Sequence, residues 1–220
     1  MELYNCNCLE VLDKFRGKDG YVIVSDPPFN IGYHYNSYKD KMDEDEYYEF
    51  LGEIFSGLPS VVIHYPENLY KLAFQLGMPP EKVISWVYNS NTRKQHRDIA
   101  FFGVTPDLSK GHQPYKNPTD KRVKALIASG SKGAKLYDWW EINQVKNISK
   151  EKTAHPCQMP LEVMKRIIQI LPEDITIVDP FMGSGTTGVA VKEVGGGRHF
   201  IGIELDKEYY EIAKKRIGGI

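Results

Sequence analysis

The sequence has few cysteines and no long apolar run. Its 220 residues include three cysteines, Cys6, Cys8 and Cys157, which are too few for a disulfide framework and favour a reducing compartment such as the cytoplasm. No stretch approaches the roughly 18 consecutive apolar residues that a membrane span requires. Residues 1–5 lack the basic and apolar parts of a signal peptide. Because the Cys6 and Cys8 pair has no partner pair and the six histidines are scattered, we expect no metal site.

The chain also lacks a strong net charge, which is -1 at pH 7. The charges are nevertheless uneven, because residues 108–136 contain seven basic residues and one acid, whereas residues 40–53 contain seven acids and one lysine. The net charge of +6 in residues 108–136 predicts a surface that meets a polyanion such as DNA. A solvated loop without a partner is the alternative interpretation of the same residues.

Length and composition indicate one globular domain, residues 1–220, in which 41% of residues are hydrophobic and 26% charged. Apolar runs predict strands at 21–25, 61–63, 83–88, 99–104, 175–178 and 199–204. Helical spacing predicts helices at 9–15, 43–55, 66–76, 160–171 and 207–216. This alternation favours an α/β fold with a mostly parallel, doubly wound sheet. Residues 103–147 have weak periodicity and are expected to form a small irregular insertion, the candidate target-recognition region.

The segment Asp26-Pro27-Pro28-Phe29 follows the apolar run at 21–25. The prolines stop the strand, which leaves a carboxylate, a carbonyl and an aromatic ring at its carboxyl end, where ligands of open α/β sheets bind. A carboxylate, a carbonyl and an aromatic ring together suit the transfer of a chemical group to an exocyclic amino group of a nucleic-acid base. The nitrogen of such a group is a poor nucleophile, and the Asp26 side chain and Pro27 carbonyl can accept its two hydrogens and localise its lone pair. Phe29 offers a face to the extruded base. A strand-ending turn with a packed Phe is the alternative.

A second strand-end motif, residues 179–188, is rich in glycine and opens a helix. Gly183, Gly185 and Gly188 fit G-x-G-x-x-G, and Glu204 follows at about the 20 residues expected of a ribose-binding acid. By itself this pattern would indicate NAD. Only 32 residues follow Gly188, however, so the remaining strands of a doubly wound sheet must come from earlier in the chain. In one such sheet both motifs face one crevice, which would hold a nucleoside cofactor beside an amino acceptor.

The two motifs together resemble a known family. Asp26-Pro27-Pro28-Phe29-Asn30 resembles the catalytic motif of the DNA methyltransferases that modify exocyclic amino groups, and residues 179–187 resemble their S-adenosylmethionine loop. The order, with the catalytic motif first, is that of the circularly permuted β group. His155-Pro156-Cys157-Gln158-Met159-Pro160 resembles the group's His-Pro-Thr-Gln-Lys-Pro segment and departs from it at Cys157 and Met159. Residues 7–12 resemble the segment beside the cofactor adenine, where the family usually has Asp in place of Asn7.

The resemblance implies a Rossmann-like methyltransferase fold, S-adenosylmethionine as cofactor, and roles for particular residues. The catalytic residues would be Asp26, Pro27, Pro28 and Phe29. The cofactor-binding residues would be Asn7, Cys8, Asp26, His155, Asp179, Phe181, Gly183, Ser184, Gly185, Thr186 and Glu204. The Ser184 and Thr186 hydroxyls would lie near the carboxylate of the cofactor, and Glu204 would accept both ribose hydroxyls. Residues 30–39, which are polar and rich in tyrosine, predict a loop that can close over the site.

The implied activity is site-specific methylation of DNA at N6 of a flipped adenine, as in a restriction-modification system. Adenine is favoured because the resembling family usually has Asp at this position for adenine and often Ser for cytosine. A cytosine-N4 enzyme, a catalytically silent DNA-binding subunit with the same fold, and an NAD enzyme are the alternatives. Pro156-Cys157-Gln158 also resembles the nucleophile motif of cytosine-C5 methyltransferases, but those enzymes place it after the cofactor loop, so we discard that interpretation.

Double-stranded DNA is the expected partner, although RNA stays open, and basic side chains are the expected contacts. The predicted DNA-binding residues are Arg93, Lys94, Arg97, Lys110, Lys116, Lys121, Arg122 and Lys124. Residues 108–136 lie between the two halves of the predicted catalytic domain, so we expect their ends near the crevice and their side chains on phosphates. Should that segment be a solvated loop, Arg93, Lys94 and Arg97 become the candidates. Because the recognition region is short, a homodimer or a distorted substrate would supply the remaining specificity.

Overall fold

The computed structural model describes residues 1–33 and 37–219. The strands are β1 (Glu2–Tyr4), β2 (Tyr21–Ser25), β3 (Ser60–His64), β4 (Lys82–Val87), β5 (His96–Phe102), β6 (His112–Gln113), β7 (Ala134–Lys135), β8 (Trp139–Glu141), β9 (Thr176–Asp179) and β10 (His199–Ile203). The helices are α1 (Leu9–Leu12), α2 (Glu44–Phe55), α3 (Pro66–Leu76), α4 (Lys121–Ala128), α5 (Leu161–Ile170), α6 (Thr186–Val194) and α7 (Lys207–Gly218). The predicted elements are present with shifted ends, and α1 stops three residues before the predicted end of its helix.

The main sheet has eight strands in the order β1-β10-β9-β2-β3-β5-β4-β8. Strands β1, β10, β9, β2 and β3 are parallel neighbours, and β4 is parallel to β8. Strand β5 runs antiparallel to both of its neighbours, β3 and β4. The prediction of a mostly parallel α/β sheet is confirmed. We call the edge at which β1, β2, β3, β9 and β10 end the carboxyl edge.

Helices cover both faces of the sheet, because its central strands are apolar on both sides. Val22 and Val24 of β2 join a core cluster with α5, α6 and α7, whereas Ile23 joins a cluster with α1, α2 and α3 on the other face. Alternate side chains of a strand point to opposite faces, which explains why one apolar run serves both clusters. The sheet is therefore doubly wound, as predicted.

Local capping signals place the helix ends. The Asp43 side chain accepts a hydrogen bond from the Asp45 backbone N–H at the start of α2. Pro66 occupies the first turn of α3, and Gly77 ends that helix in the left-handed conformation. Within the described ranges 1–33 and 37–219, no helix combines the length and apolar character needed to cross a membrane.

The predicted insertion, residues 103–147, is partly integrated into the sheet. Strand β8 lies at the sheet edge beside β4, and Trp140 is fully buried there. Residues 103–138, which we call the excursion, therefore lie outside the main sheet. They contain the β6–β7 ribbon and helix α4. Every residue of α4 is at least partly exposed.

We expected the ends of the basic segment, residues 108–136, to lie near the crevice, and for its first end this prediction is wrong. Because β5 is antiparallel, Phe102 at its end pairs with Ser60 at the start of β3. The chain therefore leaves the sheet at the edge opposite the carboxyl edge, and the segment begins away from the crevice.

Candidate active site

A cavity of about 320 Å³ opens at the carboxyl edge, and both strand-end motifs line it. Its walls come from loops that follow parallel strands, which is why residues far apart in the chain meet there. The side chains most relevant to chemistry are Asp26, Phe29, Arg97, Asp179 and Glu204. The predicted crevice is present, and each predicted catalytic residue lines it.

Asp26 is the carboxylate at the end of β2. Its Oδ1 atom is buried and has no hydrogen-bond partner among residues 1–33 and 37–219, and its Oδ2 lies 3.6 Å from Nη1 of Arg97. Burial raises the pKa of Asp26 to about 6, the Arg97 charge opposes that rise, and Asp179 adds to it. At neutral pH the side chain is therefore a predominantly ionised acceptor inside the cavity.

Two residues that the sequence did not indicate hold the catalytic loop. His64 Nδ1 accepts the Tyr65 backbone N–H at 2.8 Å, which places the ring proton on Nε2, 2.8 Å from the Tyr47 hydroxyl. The Tyr47 hydroxyl donates to the Pro28 carbonyl at 2.6 Å. Burial lowers the pKa of His64 to about 3, so the imidazole is neutral. The only signal in the sequence is that His64 ends an apolar run, as Asp26 follows one.

Phe29 is packed on two sides rather than open. Its ring stacks on His64 with centroids 4.1 Å apart, and the guanidinium carbon of Arg97 lies 4.6 Å from its centroid. Tyr65 meets the ring edge-on at 5.1 Å. The role of Phe29 as a platform for the base stays a prediction, and Arg97 now belongs to the same subsite.

Asp179 ties the two motifs together. Its carboxylate accepts the Ser25 hydroxyl at 2.7 Å, the Thr187 hydroxyl at 2.5 Å and the Phe181 N–H at 3.1 Å. Burial raises the pKa of Asp179 to about 6, and these hydrogen bonds oppose the rise. Since both oxygens are already used, Asp179 positions the glycine loop relative to β2.

Gly183 and Gly185 have positive φ angles of 51° and 78°. A Cβ on Gly183 would lie 2.9 Å from His155 Nε2, and one on Gly185 would lie 2.9 Å from the Ala213 side chain. Glycine is therefore required where the loop passes between His155 and α7. His155 packs edge-on against Tyr209 and lies beside the glycine loop, so it has a packing role. Its contact with a cofactor stays a prediction.

The hydroxyls of Ser184 and Thr186 face Arg216, which the sequence did not indicate as a site residue. The Arg216 Nη1 donates to the Ser184 carbonyl at 2.6 Å, to the Ser184 hydroxyl at 3.0 Å and to the Thr186 hydroxyl at 3.2 Å. Both hydroxyls keep their hydrogens for another acceptor. Their predicted contact with a carboxylate thus remains compatible with this arrangement.

Glu204 closes the loop at the end of β10. Its Oε2 accepts the Gly183 N–H at 2.9 Å and its Oε1 accepts the Asp206 N–H at 2.8 Å. Burial raises the pKa of Glu204 to about 7, against the effect of these bonds. Glu204 lines the cavity, and each oxygen retains a second lone pair, which is compatible with the predicted acceptance of two ribose hydroxyls.

Three further predicted cofactor residues line the cavity, whereas Gly185 is not among its lining residues. Asn7 and Cys8 line it, and the Asn7 side-chain oxygen accepts the Leu9 N–H at the start of α1. Phe181 lines it as well and meets Phe50 edge-on. These placements agree with a pocket for the adenosine part of a cofactor.

Asp40 holds the polar loop that follows the catalytic motif. Its buried carboxylate accepts the backbone N–H groups of Asn30, Ile31 and Tyr33 at 2.8, 3.1 and 3.0 Å. In the sequence Asp40 was counted with the acidic surface residues, so this role was missed. The predicted closing loop, residues 30–39, is described only at its two ends, and residues 34–36 lie outside the described residues.

The predicted DNA-binding residues fall into two groups. Arg97 lies in the cavity, and Arg93 and Lys94 lie in the turn between β4 and β5 at the carboxyl edge, where Lys94 pairs with Glu67. The others belong to residues 103–138: Lys110 pairs with Glu173, Lys116 lies 4.2 Å from the Trp139 ring centroid, and Lys121, Arg122 and Lys124 are in the first half of α4. The structure thus brings only the first group to the carboxyl edge, where the cavity opens, and only Arg97 of this group lines the cavity.

The sequence and the fold both match known proteins. The sequence model of the DNA methylase family, which covers N6 and N4 enzymes, matches residues 21–215. The type II methyltransferase M.HpaI of Haemophilus parainfluenzae is 28% identical over 96% of this chain and 72% of its own length. The DNA adenine methyltransferase YhdJ of Escherichia coli K12 is 27% identical over 96% of this chain and 80% of its own length.

Two solved structures share the fold. The structure of the M1.HpyAVI–SAM complex has a TM-score of 0.61 and 23% identity, and the alignment covers 98% of both chains. The cytosine-N4-specific PvuII DNA methyltransferase has a TM-score of 0.68 and 16% identity, over 97% of this chain and 85% of that chain. Because the family match spans residues 21–215 and both of its motifs line one cavity, this chain belongs to the DNA methylase family of S-adenosylmethionine-dependent amino-methyltransferases.

Proposed function

We propose that this protein transfers a methyl group from S-adenosylmethionine to N6 of an adenine flipped out of duplex DNA. The observation that supports this most directly is the buried Oδ1 of Asp26, an acceptor without a partner in the described structure, on a side chain that lines the same cavity as the glycine loop. A buried acceptor of this kind is costly unless a ligand satisfies it. An exocyclic amino group is a donor of the required type.

In this mechanism Asp26 and the Pro27 carbonyl accept the two hydrogens of the amino group and localise its lone pair on nitrogen. S-Adenosylmethionine, when bound, supplies an electrophilic methyl group on a sulfonium. The pKa of Asp26, about 6, keeps it ionised at neutral pH and suits it to take the proton that the nitrogen loses. Tyr47 holds the adjacent Pro28 carbonyl, which fixes the direction of the loop.

The cavity also fits the cofactor from this chain's own side chains. The Glu204 carboxylate is partly buried, is anchored by two backbone N–H groups and lines the cavity, as a ribose acceptor must. Asn7, Cys8 and Phe181 line the part of the cavity that would take the adenine. Residues 179–187 would therefore hold the cofactor, and residues 26–29 the acceptor.

Adenine is proposed over cytosine because an intact Asp-Pro-Pro-Phe segment is more typical of adenine enzymes in the family that it resembles. The relative YhdJ is named a DNA adenine methyltransferase, which supports the same choice. The intact catalytic segment also argues against a silent DNA-binding subunit.

The test is incubation with S-adenosylmethionine and duplex DNA of mixed sequence, followed by nucleoside mass spectrometry. We expect N6-methyladenine from the wild-type protein and at least about 100-fold slower formation by Asp26→Asn, which keeps the shape of the side chain but not its charge. N4-methylcytosine instead would establish the cytosine enzyme. No methylated base, together with retained DNA binding, would establish the silent subunit.

We further propose that target recognition involves the turn between β4 and β5 and the excursion at residues 103–138, and that a homodimer contributes to it. The small size of the excursion supports the dimer, as does α3, which exposes Tyr70 and Phe74 on one side, 75% and 88% exposed. A molar mass near 25.2 kDa by light scattering would exclude the dimer. A cytoplasmic location belongs to the same proposal and is supported by the three free cysteines.

A further inference from the structure

Two buried, unpartnered atoms of opposite hydrogen-bonding character belong to side chains that line the same cavity. Asp26 Oδ1 is an acceptor and Arg97 Nε is a donor, and both are buried without a hydrogen-bond partner in the described part of the chain. The two side chains are already neighbours, since Arg97 Nη1 is 3.6 Å from Asp26 Oδ2. Buried polar atoms are normally satisfied, so this pair indicates a missing ligand that offers one donor and one acceptor.

The surroundings of Arg97 make it a poor structural ion pair. A carboxylate and a guanidinium that stabilise a fold usually meet in a two-bond fork at about 2.7–2.9 Å, whereas here the contact is long. Several other neighbours are aromatic or soft: the guanidinium carbon lies 4.6 Å from the Phe29 centroid and 5.4 Å from that of Trp86, and Nη1 lies 3.7 Å from the Met159 sulfur. The Tyr88 side chain also hydrogen-bonds to the guanidinium, but Nε keeps no partner in the described part of the chain. The cation is held in place without being saturated.

Arg97 is also unsuited to the phosphate contact that its basic side chain suggested. Phosphates of a duplex meet the protein at its surface, whereas the Arg97 side chain is only 16% exposed and lies against the catalytic loop. Its neighbour His96, by contrast, is exposed and points to the opposite side of β5. The sheet thus directs Arg97 to the acceptor end of the cavity.

We propose that Arg97 donates a hydrogen bond to the ring nitrogen beside the amino group of the target base. This inference rests on the proposed function. In adenine the N6 amino group is flanked by the acceptors N1 and N7, and in cytosine the N4 amino group is flanked by N3. Such a base presents a donor to Asp26 and an acceptor to Arg97, which satisfies both orphan atoms together.

The same pair disfavours thymine. Thymine carries the acceptor O4 where adenine and cytosine carry an amino group, so its oxygen would face the Asp26 carboxylate. Two acceptors in contact inside a cavity repel, and Arg97 would face a ring N–H instead of a lone pair. Arg97 and Asp26 therefore select an amino group with an adjacent ring nitrogen before any methyl transfer takes place.

The experiment is a double-mutant cycle in which Arg97 and one ring nitrogen of the target base are changed separately and together. Duplexes that carry the site methylated by the wild-type protein are made with adenine, 7-deazaadenine or 1-deazaadenine at the target position. All three keep N6, and each analogue replaces one flanking nitrogen by C–H. The ratio kcat/KM is measured for the wild type, Arg97→Lys and Arg97→Met. Arg97→Lys keeps the charge and removes the Nε donor.

We expect the wild type to lose about 10- to 100-fold in kcat/KM on one of the two analogues, as for loss of a hydrogen bond to a charged group. The other analogue serves as the control for changes in flipping or groove contacts. Both variants should lose a similar factor on adenine and show no further loss on the sensitive analogue. The control variant His96→Ala changes a neighbour on the same strand. Its kcat/KM for adenine divided by its kcat/KM for that analogue should equal the wild-type value.

Two results would overturn this role. Equal losses on the analogues in the wild type and in both variants would show that Arg97 does not contact the ring nitrogen. A variant with unchanged or higher kcat/KM on adenine would show that the guanidinium merely fills the base subsite. An unchanged dissociation constant for S-adenosylmethionine establishes that each variant is folded. A wild-type protein that methylates no base would instead refute the proposed function itself.

Discussion

Binding of the adenosine half of the cofactor should strengthen about tenfold between pH 6 and pH 8. Glu204 must be ionised to accept two ribose hydroxyls, and burial raises its pKa to about 7. With that pKa, about one-tenth of the carboxyl groups are ionised at pH 6 and about nine-tenths at pH 8. The sign follows because the ligand binds the deprotonated form, so affinity rises with pH and levels off above the pKa.

The suitable ligand is 5′-methylthioadenosine, which keeps the adenine and ribose and has no group that titrates between pH 6 and pH 8. The full cofactor has an α-amino group with a pKa near 8, which would confuse the measurement. Isothermal titration at constant ionic strength gives the dissociation constant at each pH. Repeating the titration at pH 7 in buffers of different ionisation enthalpy should show release of about half a proton on binding.

Glu204→Gln is the matched variant. Its amide cannot accept both the Gly183 and Asp206 N–H groups, because one of its two ends is a donor. It should bind the ligand roughly 10- to 100-fold more weakly at pH 8, as expected for lost charge-assisted hydrogen bonds, and its affinity should not vary between pH 6 and pH 8. DNA binding should be unchanged.

The reasoning fails if the wild-type affinity is the same at pH 6 and pH 8, or if the variant binds as tightly as the wild type at pH 8. If the variant instead shows the same tenfold rise, another group titrates. Asp26 and Asp179, with pKa values raised to about 6, would then be the candidates.

Three further predictions concern the acceptor side and DNA. Asp26→Asn should lower kcat at least about 100-fold with little change in thermal unfolding temperature, and turnover near the wild-type rate would remove Asp26 from the mechanism. Tyr47→Phe removes the hydroxyl that links the part-buried Pro28 carbonyl to His64 Nε2, so urea unfolding should show a loss of about 1–3 kcal/mol and kcat should fall; unchanged values of both would show that the link is dispensable. Changing Arg93 and Lys94 to Ala should weaken binding to every DNA sequence and flatten its salt dependence by about 0.9 per lost phosphate contact. The comparison is the triple Ala variant at Lys121, Arg122 and Lys124, and a larger effect of the triple variant would return the DNA face to α4.

Much of the fold and the cofactor half of the site could be predicted from local patterns. Residues 175–178 and 200–203 are mostly apolar because both faces of the sheet are covered. The glycines at 183 and 185 are required by positive φ angles and close neighbours. Such signals are contained in short stretches of chain. Because both motifs follow strands of one predicted doubly wound sheet, both could be placed at one carboxyl edge, and both line the cavity there.

The acceptor half depended on contacts between residues far apart in sequence. Nothing local distinguishes Asp40, which accepts three backbone N–H groups, from its acidic surface neighbours. The position of His64 at the end of an apolar run gave no indication of its hydrogen bonds to Tyr65 and Tyr47. Their roles arise when loops that follow different strands meet at one edge. Charge counting alone could not separate a buried carboxylate from an exposed one.

Strand direction had the largest consequence and left no trace in the pattern of apolar residues. An antiparallel β5 has the same alternation as a parallel one, because side chains alternate between faces in both cases. Its direction nevertheless brings Arg97 beside Asp26 and starts the basic excursion at the opposite edge of the sheet. By itself the sequence determined which segments form the sheet and which motifs carry the chemistry, since those are local properties. Only the tertiary structure decided which basic residue enters the cavity, because that depends on how the strands are paired.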